Sequence, residues 1–236
     1  MSVPNIQDFQ EQVGLSFFQP DLLQQVFVHR SYLNEHRSFG LGHNERLEFL
    51  GDAVLELVVT EFLYKTYPNP EGELTNWRSA LVKGEMLAQV AVELGFSEYM
   101  LLSYGEAKSG GKSKNLILAN AFEALLGALY LDQGYAACQE FLTRVLLHRL
   151  PNILEQGLFI DPKSRLQEYT QEHFSLTPTY AVLQEEGPDH AKEFSVAVFA
   201  GENELGRGTG SSKQSAQVAA AQTALEILLT TASSSS

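Results

Sequence analysis

The sequence predicts a multi-domain protein, with an all-α domain followed by a small α+β domain of element order α-β-β-β-α. From residue 5 to about 156, apolar residues recur at spacings of three and four, which is the period of a helix. After Asp161 the pattern changes, and runs such as residues 194–198 alternate with period two, as strands do. A chain of 236 residues has room for one medium domain and one small one.

Loops and terminators set the expected boundaries of these domains. Turn-rich segments at 67–72 and 103–112 interrupt the helical pattern, and Pro151 and Gly157 mark the end of its last helix. We therefore expect a first domain over residues 1–157 and a second over 161–231. The serine-rich residues 232–236 are expected to form a disordered tail.

The second domain is expected to begin with a helix at 164–174 and to end with a helix from about 213 to 229. Three strands separated by glycine-rich turns lie between these helices. Small residues on the last helix would let it pack closely on the sheet. The residues that share the expected buried face are Ala216, Ala220, Ala224, Ile227 and Leu228.

Composition places the chain among cytoplasmic proteins that do not enter a membrane. No apolar stretch approaches the ~20 residues of a membrane span. The amino terminus, MSVPNIQDFQ, has neither the basic start nor the apolar run of a secretory signal. The single cysteine, Cys138, excludes an internal disulfide and a cysteine-rich metal site, and we expect it in the core.

The net charge of −13 argues against a protein that binds nucleic acid by overall charge, since phosphate binding normally leaves a basic footprint. Up to residue 160 there are 11 basic and 19 acidic residues, a net of −8, and after it 5 and 10, a net of −5. Both parts are acidic. A nucleic-acid role would therefore need its few basic residues placed along the binding path.

The strongest chemical signal is a helix with a stripe of carboxylates. At about 100° per residue, four acidic side chains fall within roughly 80° of one another. They are Glu45, Glu48, Asp52 and Glu56, and the opposite side carries Leu47, Leu50, Val54 and Leu57. A solvated helix face is the alternative. Against it, no lysine or arginine at i+4 relieves the repulsion, and Phe49 points outward among the carboxylates.

Residues 45–55, ERLEFLGDAVL, resemble the signature of the ribonuclease III family of double-stranded-RNA endonucleases. Further similar segments follow the family's order, at 29–32, 71–72, 108–111 and 117–125. The second part of the chain resembles the family's double-stranded-RNA-binding domain. The resemblance therefore covers nearly the whole sequence.

The resemblance implies a magnesium site made by two helices, with Mn²⁺ as a possible substitute. Its metal ligands would be Glu48, Asp52, Asn120 and Glu123, and its catalytic residues Glu45, Glu48, Asp52 and Glu123. Glu71 would assist at the edge of the site. Oxygen ligands suit Mg²⁺, which keeps several of its waters. Gly127, beneath Asn120 and Glu123, is expected to leave the cleft open.

The resemblance also implies how the second domain would bind duplex RNA and how the chain would dimerise. Its RNA-contacting residues would be Gln167, Glu168, His190, Ser212 and Lys213, with the start of the last helix facing phosphates. Gln214 and Ser215 stand where family members usually carry further basic residues, which predicts weak phosphate binding. Phe49 would enter a socket on the partner of a homodimer. A domain used for protein contact is the alternative.

The function implied is Mg²⁺-dependent hydrolysis of double-stranded RNA to 5′-phosphate and 3′-hydroxyl ends, in processing of rRNA and mRNA. Each site of a homodimer would cut one strand and leave a short 3′ overhang. Asn120 stands where family members often carry aspartate, so a duplex-RNA-binding protein with impaired cleavage is the alternative. A protein-interaction module without RNA binding is a third.

Residues 105–113, GEAKSGGKS, superficially match a phosphate-binding P-loop. The first glycine is one position too far from the Gly-Lys-Ser, and no strand is expected before it. Nucleotide binding is therefore not expected. Lys108, Lys112 and Lys114 either line the RNA or are simply solvated.

Overall fold

The computed structural model describes residues 4–155, 162–188 and 192–233. The chain divides into two compact units, Met1–Phe159 and Ile160–Ser236. Each unit has its own hydrophobic core. The first is helical and the second combines three strands with two helices, so the predicted fold class is confirmed.

Eleven α-helices make up the described part of the first unit. They are α1 (Ile6–Val13), α2 (Pro20–Val26), α3 (Arg30–Glu35), α4 (Glu45–Thr66), α5 (Glu71–Val82), α6 (Gly84–Glu93), α7 (Phe96–Tyr99), α8 (Tyr104–Lys108), α9 (Asn115–Gln133), α10 (Tyr135–Val145) and α11 (Leu150–Glu155). Short 3₁₀ turns lie at Gly111–Ser113 and Leu147–Arg149. The carboxylate stripe predicted from the sequence lies on α4.

Helix α9 is the centre of this unit and packs against α4 and α6. By length and composition alone α9 could cross a membrane, a test that core helices of soluble proteins also pass. Eleven of its residues, from Ile117 to Leu129, are buried among the other helices. Cys138 of α10 is buried against it, with Sγ 3.6 Å from the carbonyl oxygen of Leu126, as expected of a core cysteine.

The start of α4 is fixed by a buried asparagine. Asn44 precedes the helix, and its Nδ2 donates to the carbonyl oxygen of Val26, at 2.9 Å. Its backbone N–H donates to the carbonyl oxygen of Val28, also at 2.9 Å. Because a buried amide group needs hydrogen-bond partners, this arrangement holds the first turn of α4 against the end of α2.

The second unit contains α12 (Pro162–Phe174), β1 (Thr179–Glu186), β2 (Glu193–Ala200), β3 (Asn203–Gly210) and α13 (Lys213–Ser233). The strands form an antiparallel sheet of order β1-β2-β3. Val196 of β2 lies opposite Val182 of β1 and Gly208 of β3. The core of the unit lies between the sheet and the helices and includes Leu166 of α12.

Helix α13 packs on glycines of β3, as its small residues predicted. A Cβ atom at Gly208 would lie 2.2 Å from the backbone nitrogen of Ala220, and one at Gly206 would lie 2.7 Å from that of Ala224. Contacts this short leave no room for a side chain on the strand. The helix and the sheet therefore approach each other with backbone against backbone.

Two details of α13 differ from the expectation. Ile227 was expected on the buried face but is 51% exposed, because it lies beyond Ala224, where β3 is near its first residue. Ala221 and Leu225 are buried in the core. The helix also continues to Ser233, two residues into the expected tail of 232–236, and residues 234–236 lie outside the described part of the chain.

Candidate functional site

The crossing of α4 and α9 brings carboxylates of the two helices together. Glu48 and Asp52 lie one turn apart on α4, and Glu123 lies on α9. A Cβ atom at Gly51, next to Asp52, would lie 1.7 Å from the carbonyl oxygen of Glu123. The two backbones therefore touch at the level of these side chains.

The charges of Glu48, Asp52 and Glu123 repel one another in a partly buried setting. Burial raises the pKa of Glu123 to about 7, with further contributions from the charges of Asp52 and Glu48. The pKa of Glu48 is also raised, first by burial and then by the charges of Glu45 and Asp52. A cluster of this kind attracts a cation, because an opposite charge relieves the repulsion.

Asn120 lies one turn before Glu123 on α9 and is half-buried. A hydrogen bond between its side chain and Glu48 lowers the pKa of Glu48 and so opposes the effect of burial. The amide NH₂ donates in this bond, since a carboxylate only accepts. The amide oxygen of Asn120 remains able to bind a metal ion. It is neutral, whereas an aspartate at this position would offer a negatively charged oxygen.

All four side chains can bind a metal ion through oxygen, which suits a hard ion such as Mg²⁺. They are Glu48, Asp52, Asn120 and Glu123. Among the described residues, no group of three or more His, Cys, Asp or Glu side chains is arranged to hold a metal ion by itself. The amide oxygen of Asn120 and water molecules would therefore have to complete the coordination. Mg²⁺ commonly keeps several waters, so the donor set fits this ion.

Two arginines from neighbouring helices neutralise the ends of the carboxylate stripe. Arg30 of α3 lies 3.5 Å from Glu45, and Arg78 of α5 lies 3.0 Å from Glu56. Neither arginine lies at i+4 on α4, so the spacing of charges along this helix did not predict these pairs. The segment at 29–32 that supports the family resemblance contains Arg30 and was the available signal for it.

Glu71 and Gly127 are not placed as expected. Glu71 begins α5 and lines a cavity of about 610 Å³ with Thr60 and Tyr64 of α4. Thr60 follows Asp52 by eight residues, about 12 Å along the helix, so Glu71 does not border the cluster within one chain. Gly127 is buried under α4, where a Cβ atom would lie 2.1 Å from the carbonyl oxygen of Leu47. It permits the helix crossing and does not open the cleft.

Phe49, Leu57 and Tyr64 are the exposed large hydrophobic residues among the described residues of α4. Phe49 is 83% exposed, as the helical spacing predicted, and Tyr64 is 79% exposed. Leu57 was expected on the core side but is 58% exposed, because it lies at the border of that side and no other element among the described residues covers it. Beside Phe49 is a cavity of about 600 Å³ whose apolar lining includes Leu22, Leu50 and Leu131.

The second unit places most of its predicted RNA contacts at the surface. Gln167 and Glu168 are exposed on α12 and line a groove of about 360 Å³. Ser212 and Lys213 are exposed at the start of α13. The N–H of Ser215 donates to Oγ of Ser212 at 3.1 Å, and the N–H of Ser212 donates to Oγ of Ser215 at 3.0 Å. His190 lies outside the described residues.

The segment that superficially matches a P-loop forms α8 and a 3₁₀ turn. Lys114 follows this turn and pairs with Glu106 at 2.7 Å. Lys108 and Lys114 are exposed, and Lys112 is half-buried. The strand that would precede a phosphate-binding loop is not among the elements of the described residues, which agrees with the rejection of this motif.

A helical unit with a carboxylate cluster, followed by an α-β-β-β-α unit, defines the class of nucleases that carry a double-stranded-RNA-binding domain. Residues 19–150 match the family model described as ribonuclease-III-like. Residues 162–228 match the model of the double-stranded RNA binding motif. Together the two models cover both units of the structure.

Similar proteins agree over most of the chain. Ribonuclease 3 of Streptococcus thermophilus is 47% identical over 226 residues, 94% of this chain and 97% of that protein. Ribonuclease 3 of Oceanobacillus iheyensis is 46% identical over 226 residues, again 94% of this chain and 97% of that protein. A solved structure of the nuclease domain of ribonuclease III from Campylobacter jejuni, titled for flexibility in a region of dimer formation, is 36% identical. It covers 62% of this chain and 99% of its own, with a TM-score of 0.57.

The chain belongs to the ribonuclease III family and is an endoribonuclease that acts on double-stranded RNA. Its family is generally dependent on a divalent metal ion. The resemblance on which the sequence analysis relied is thereby confirmed.

Proposed function

We propose that this chain hydrolyses the phosphodiester bonds of double-stranded RNA with Mg²⁺, leaving 5′-phosphate and 3′-hydroxyl ends. The observation that carries the proposal is the close crossing of α4 and α9, which brings Glu48 and Asp52 of one helix together with Glu123 of the other. Burial and the charges of Asp52 and Glu48 raise the pKa of Glu123 to about 7, as expected of grouped carboxylates that a cation would stabilise. Mn²⁺ also prefers oxygen ligands and would substitute for Mg²⁺.

Glu48, Asp52, Asn120 and Glu123 would hold the ion, and Glu45 would assist from the amino-terminal end of the stripe. When bound, Mg²⁺ supplies an activated water and stabilises the charge that develops on the leaving 3′-oxygen. Glu123 carries a proton part of the time near neutral pH in the metal-free protein and must release it to act as an anionic ligand. The Arg30–Glu45 and Arg78–Glu56 pairs reduce repulsion at the two ends of the stripe and leave its centre negative.

A homodimer formed through α4 is the second part of the proposal. Phe49 exposes an aromatic ring and itself borders a cavity of about 600 Å³ that is lined by leucines and also by polar residues such as Glu45 and Arg46. A protrusion and a cavity on one face are self-complementary under a two-fold axis, so each Phe49 can enter the partner's cavity. Two sites related in this way would cut one strand each and leave a short 3′ overhang.

The second unit would hold the duplex while the first cuts it. The exposed side chains of Gln167 and Glu168 suit contacts with 2′-hydroxyl groups and base edges in a minor groove, and the start of α13 suits phosphates. His190 belongs to the same proposed contact set. We propose that the substrates are structured rRNA and mRNA in the cytoplasm. We propose no role for the protein at a membrane.

A second candidate function is binding of duplex RNA with impaired cleavage. It is favoured by Asn120, whose amide gives the cluster one negative charge fewer than an aspartate would. Weaker attraction for Mg²⁺ follows, because a carboxylate binds a divalent ion more strongly than an amide oxygen does. Under this alternative the structure would be retained while turnover is lost.

Incubation of the full chain with long duplex RNA and Mg²⁺ tests the proposal. Short products with 3′-hydroxyl ends that a polymerase can extend are expected, and Glu123→Gln should abolish them. The matched control is Glu140→Gln, the same change on the exposed surface of α10, which should leave cleavage intact. Binding without cleavage by the unaltered chain would favour the second candidate, and absence of RNA binding would favour a protein-interaction module.

A further inference from the structure

A single carboxylate in the second unit lies between two lysines, one just before β2 and one at the start of α13. Oε1 of Glu185 lies 2.8 Å from Nζ of Lys192, and its Oε2 lies 4.0 Å from Nζ of Lys213. Glu185 is near the end of β1 and lies opposite Phe194 of β2. Nζ of Lys213 lies 5.8 Å from the centre of the Phe194 ring, which places this lysine over the same end of the sheet.

This location matters because positive charge is scarce in this part of the chain. Residues 161–236 contain 5 basic and 10 acidic residues. A third cation, Arg207, is paired with Glu204 at 2.6 Å on β3. Of the lysines, Lys213 begins α13, where the helix dipole and free N–H groups already favour an anion. Its positive charge is therefore the one best placed to meet a phosphate.

We propose that Glu185 competes with the phosphates of duplex RNA for Lys213 and Lys192, and so holds the RNA affinity of this unit low. The inference rests on the proposed use of the start of α13 as a phosphate contact. An exposed ion pair contributes little to stability, so the carboxylate can give way to a phosphate at small cost. Duplex binding then exchanges one partner of these lysines for another.

The exchange also predicts a shallow dependence of binding on salt. A lysine that neutralises a phosphate releases condensed counterions from the RNA, and this release makes affinity fall as salt rises. If the same lysine must first leave Glu185, the freed carboxylate attracts cations again. Part of the gain from counterion release is thereby cancelled, and the slope of log affinity against log salt is reduced.

Measurement of duplex-RNA binding by the full chain, in EDTA to prevent cleavage, tests this role. Glu185→Gln keeps the size of the side chain and removes its charge. We expect binding about threefold to tenfold tighter at low salt and a salt slope steeper by up to about 1. In the triple variant that adds Lys192→Met and Lys213→Met, most of the gain should disappear, because Glu185 acts through these two lysines.

The matched control is Glu204→Gln, which makes the same change of net charge and frees Arg207. Gly206 and Gly208 face α13, so Arg207, between them on β3, extends from the opposite face of the sheet. This control should change binding little. Equal gains from both variants would show a general charge effect and overturn the inference. A gain from Glu185→Gln that survives in the triple variant would also overturn it.

The failure of the inference is distinguishable from that of the proposed function. If the unaltered chain binds duplex RNA and Glu185→Gln binds with the same affinity and slope, only the role of Glu185 is refuted. If neither protein binds duplex RNA, the proposed RNA contact at α13 is refuted, and the role of Glu185 with it. Binding by Glu185→Gln alone would support both.

Discussion

Gly51 of α4 and Gly127 of α9 face each other where the two helices cross. A Cβ atom at Gly51 would lie 2.8 Å from the backbone nitrogen of Gly127, and one at Gly127 would lie 3.1 Å from that of Gly51. Without side chains at either position, the helices approach until their backbones touch. This contact sets the separation between Asp52, next to Gly51, and Glu123, one turn before Gly127.

Gly51→Ala should strongly destabilise the first unit. The new methyl group would meet the carbonyl oxygen of Glu123 at 1.7 Å, and overpacking of a core typically costs about 1–3 kcal/mol or more. Chemical denaturation should report this as a lower free energy of unfolding. Gly72→Ala is the matched control: it lies in α5 with nothing within 4 Å of its Cβ position and should be neutral or slightly stabilising. Equal stability of the two variants would contradict the close crossing.

Asn120→Asp should lower the Mg²⁺ concentration needed for half-maximal cleavage, and the unaltered chain should need more Mg²⁺ or cut slowly. The two side chains are nearly isosteric, so the fold should persist while the cluster gains an anionic oxygen. Mn²⁺ should rescue the unaltered chain better than Mg²⁺. Cleavage titrations measure this, with Asn115→Asp at the exposed start of α9 as control. If the unaltered chain and Asn120→Asp cleave at the same rate and need the same Mg²⁺ concentration for half-maximal cleavage, Asn120 is not a metal ligand.

Stability of the metal-free protein should fall as pH rises from about 4.5 to about 7. The carboxyl of Glu123 has a pKa of about 7 in the folded state against a usual value of 4.5, so the folded state holds more protons in that window. Deprotonation then favours the unfolded chain. Denaturation in EDTA across this range should show the decline, and Glu123→Gln should flatten it. The exposed change Glu140→Gln should leave the decline in place, and the same pH profile in the unaltered protein and in Glu123→Gln would refute the assignment.

Phe49→Ala should shift the protein toward monomer in sedimentation and reduce cleavage. An aromatic ring buried at the centre of an interface commonly contributes a few kcal/mol to association. The control is Val92→Ala, which removes an exposed apolar side chain from α6. An unchanged dimer at low micromolar concentration would count against the proposed interface.

Gln214→Lys should tighten duplex binding and steepen its salt dependence by up to about one unit charge. Ser215 must be left intact, because its hydroxyl and that of Ser212 bond each other's backbone N–H at the start of α13, and a lysine there would remove this cap. Gln222→Lys makes the same change two turns further along the exposed surface. If Gln214→Lys binds no better than Gln222→Lys, the start of α13 does not face the RNA backbone.

The order of elements and the small-residue face of α13 could be predicted because they depend on local patterns. Apolar spacing of three and four indicated the helices of the first unit, and alternation indicated the strands around residues 194–198. The outward position of Phe49 followed from its angle on α4. Errors arose where an element ends or lacks a neighbour: Ile227 lies past the start of β3, and Leu57 is left uncovered.

The sequence by itself determined the two units, the family and the residues of the carboxylate stripe, since these follow from periodicity and from a contiguous motif. Only the tertiary structure decided which distant residues act on that stripe. Arg30 and Arg78 reach Glu45 and Glu56 from other helices, and Gly127 serves the crossing and not the cleft. In the second unit, Glu185 of β1 lies against Lys213 of α13. The physical reason is that charge pairing and close packing depend on distances through space, which helical and strand periods do not specify.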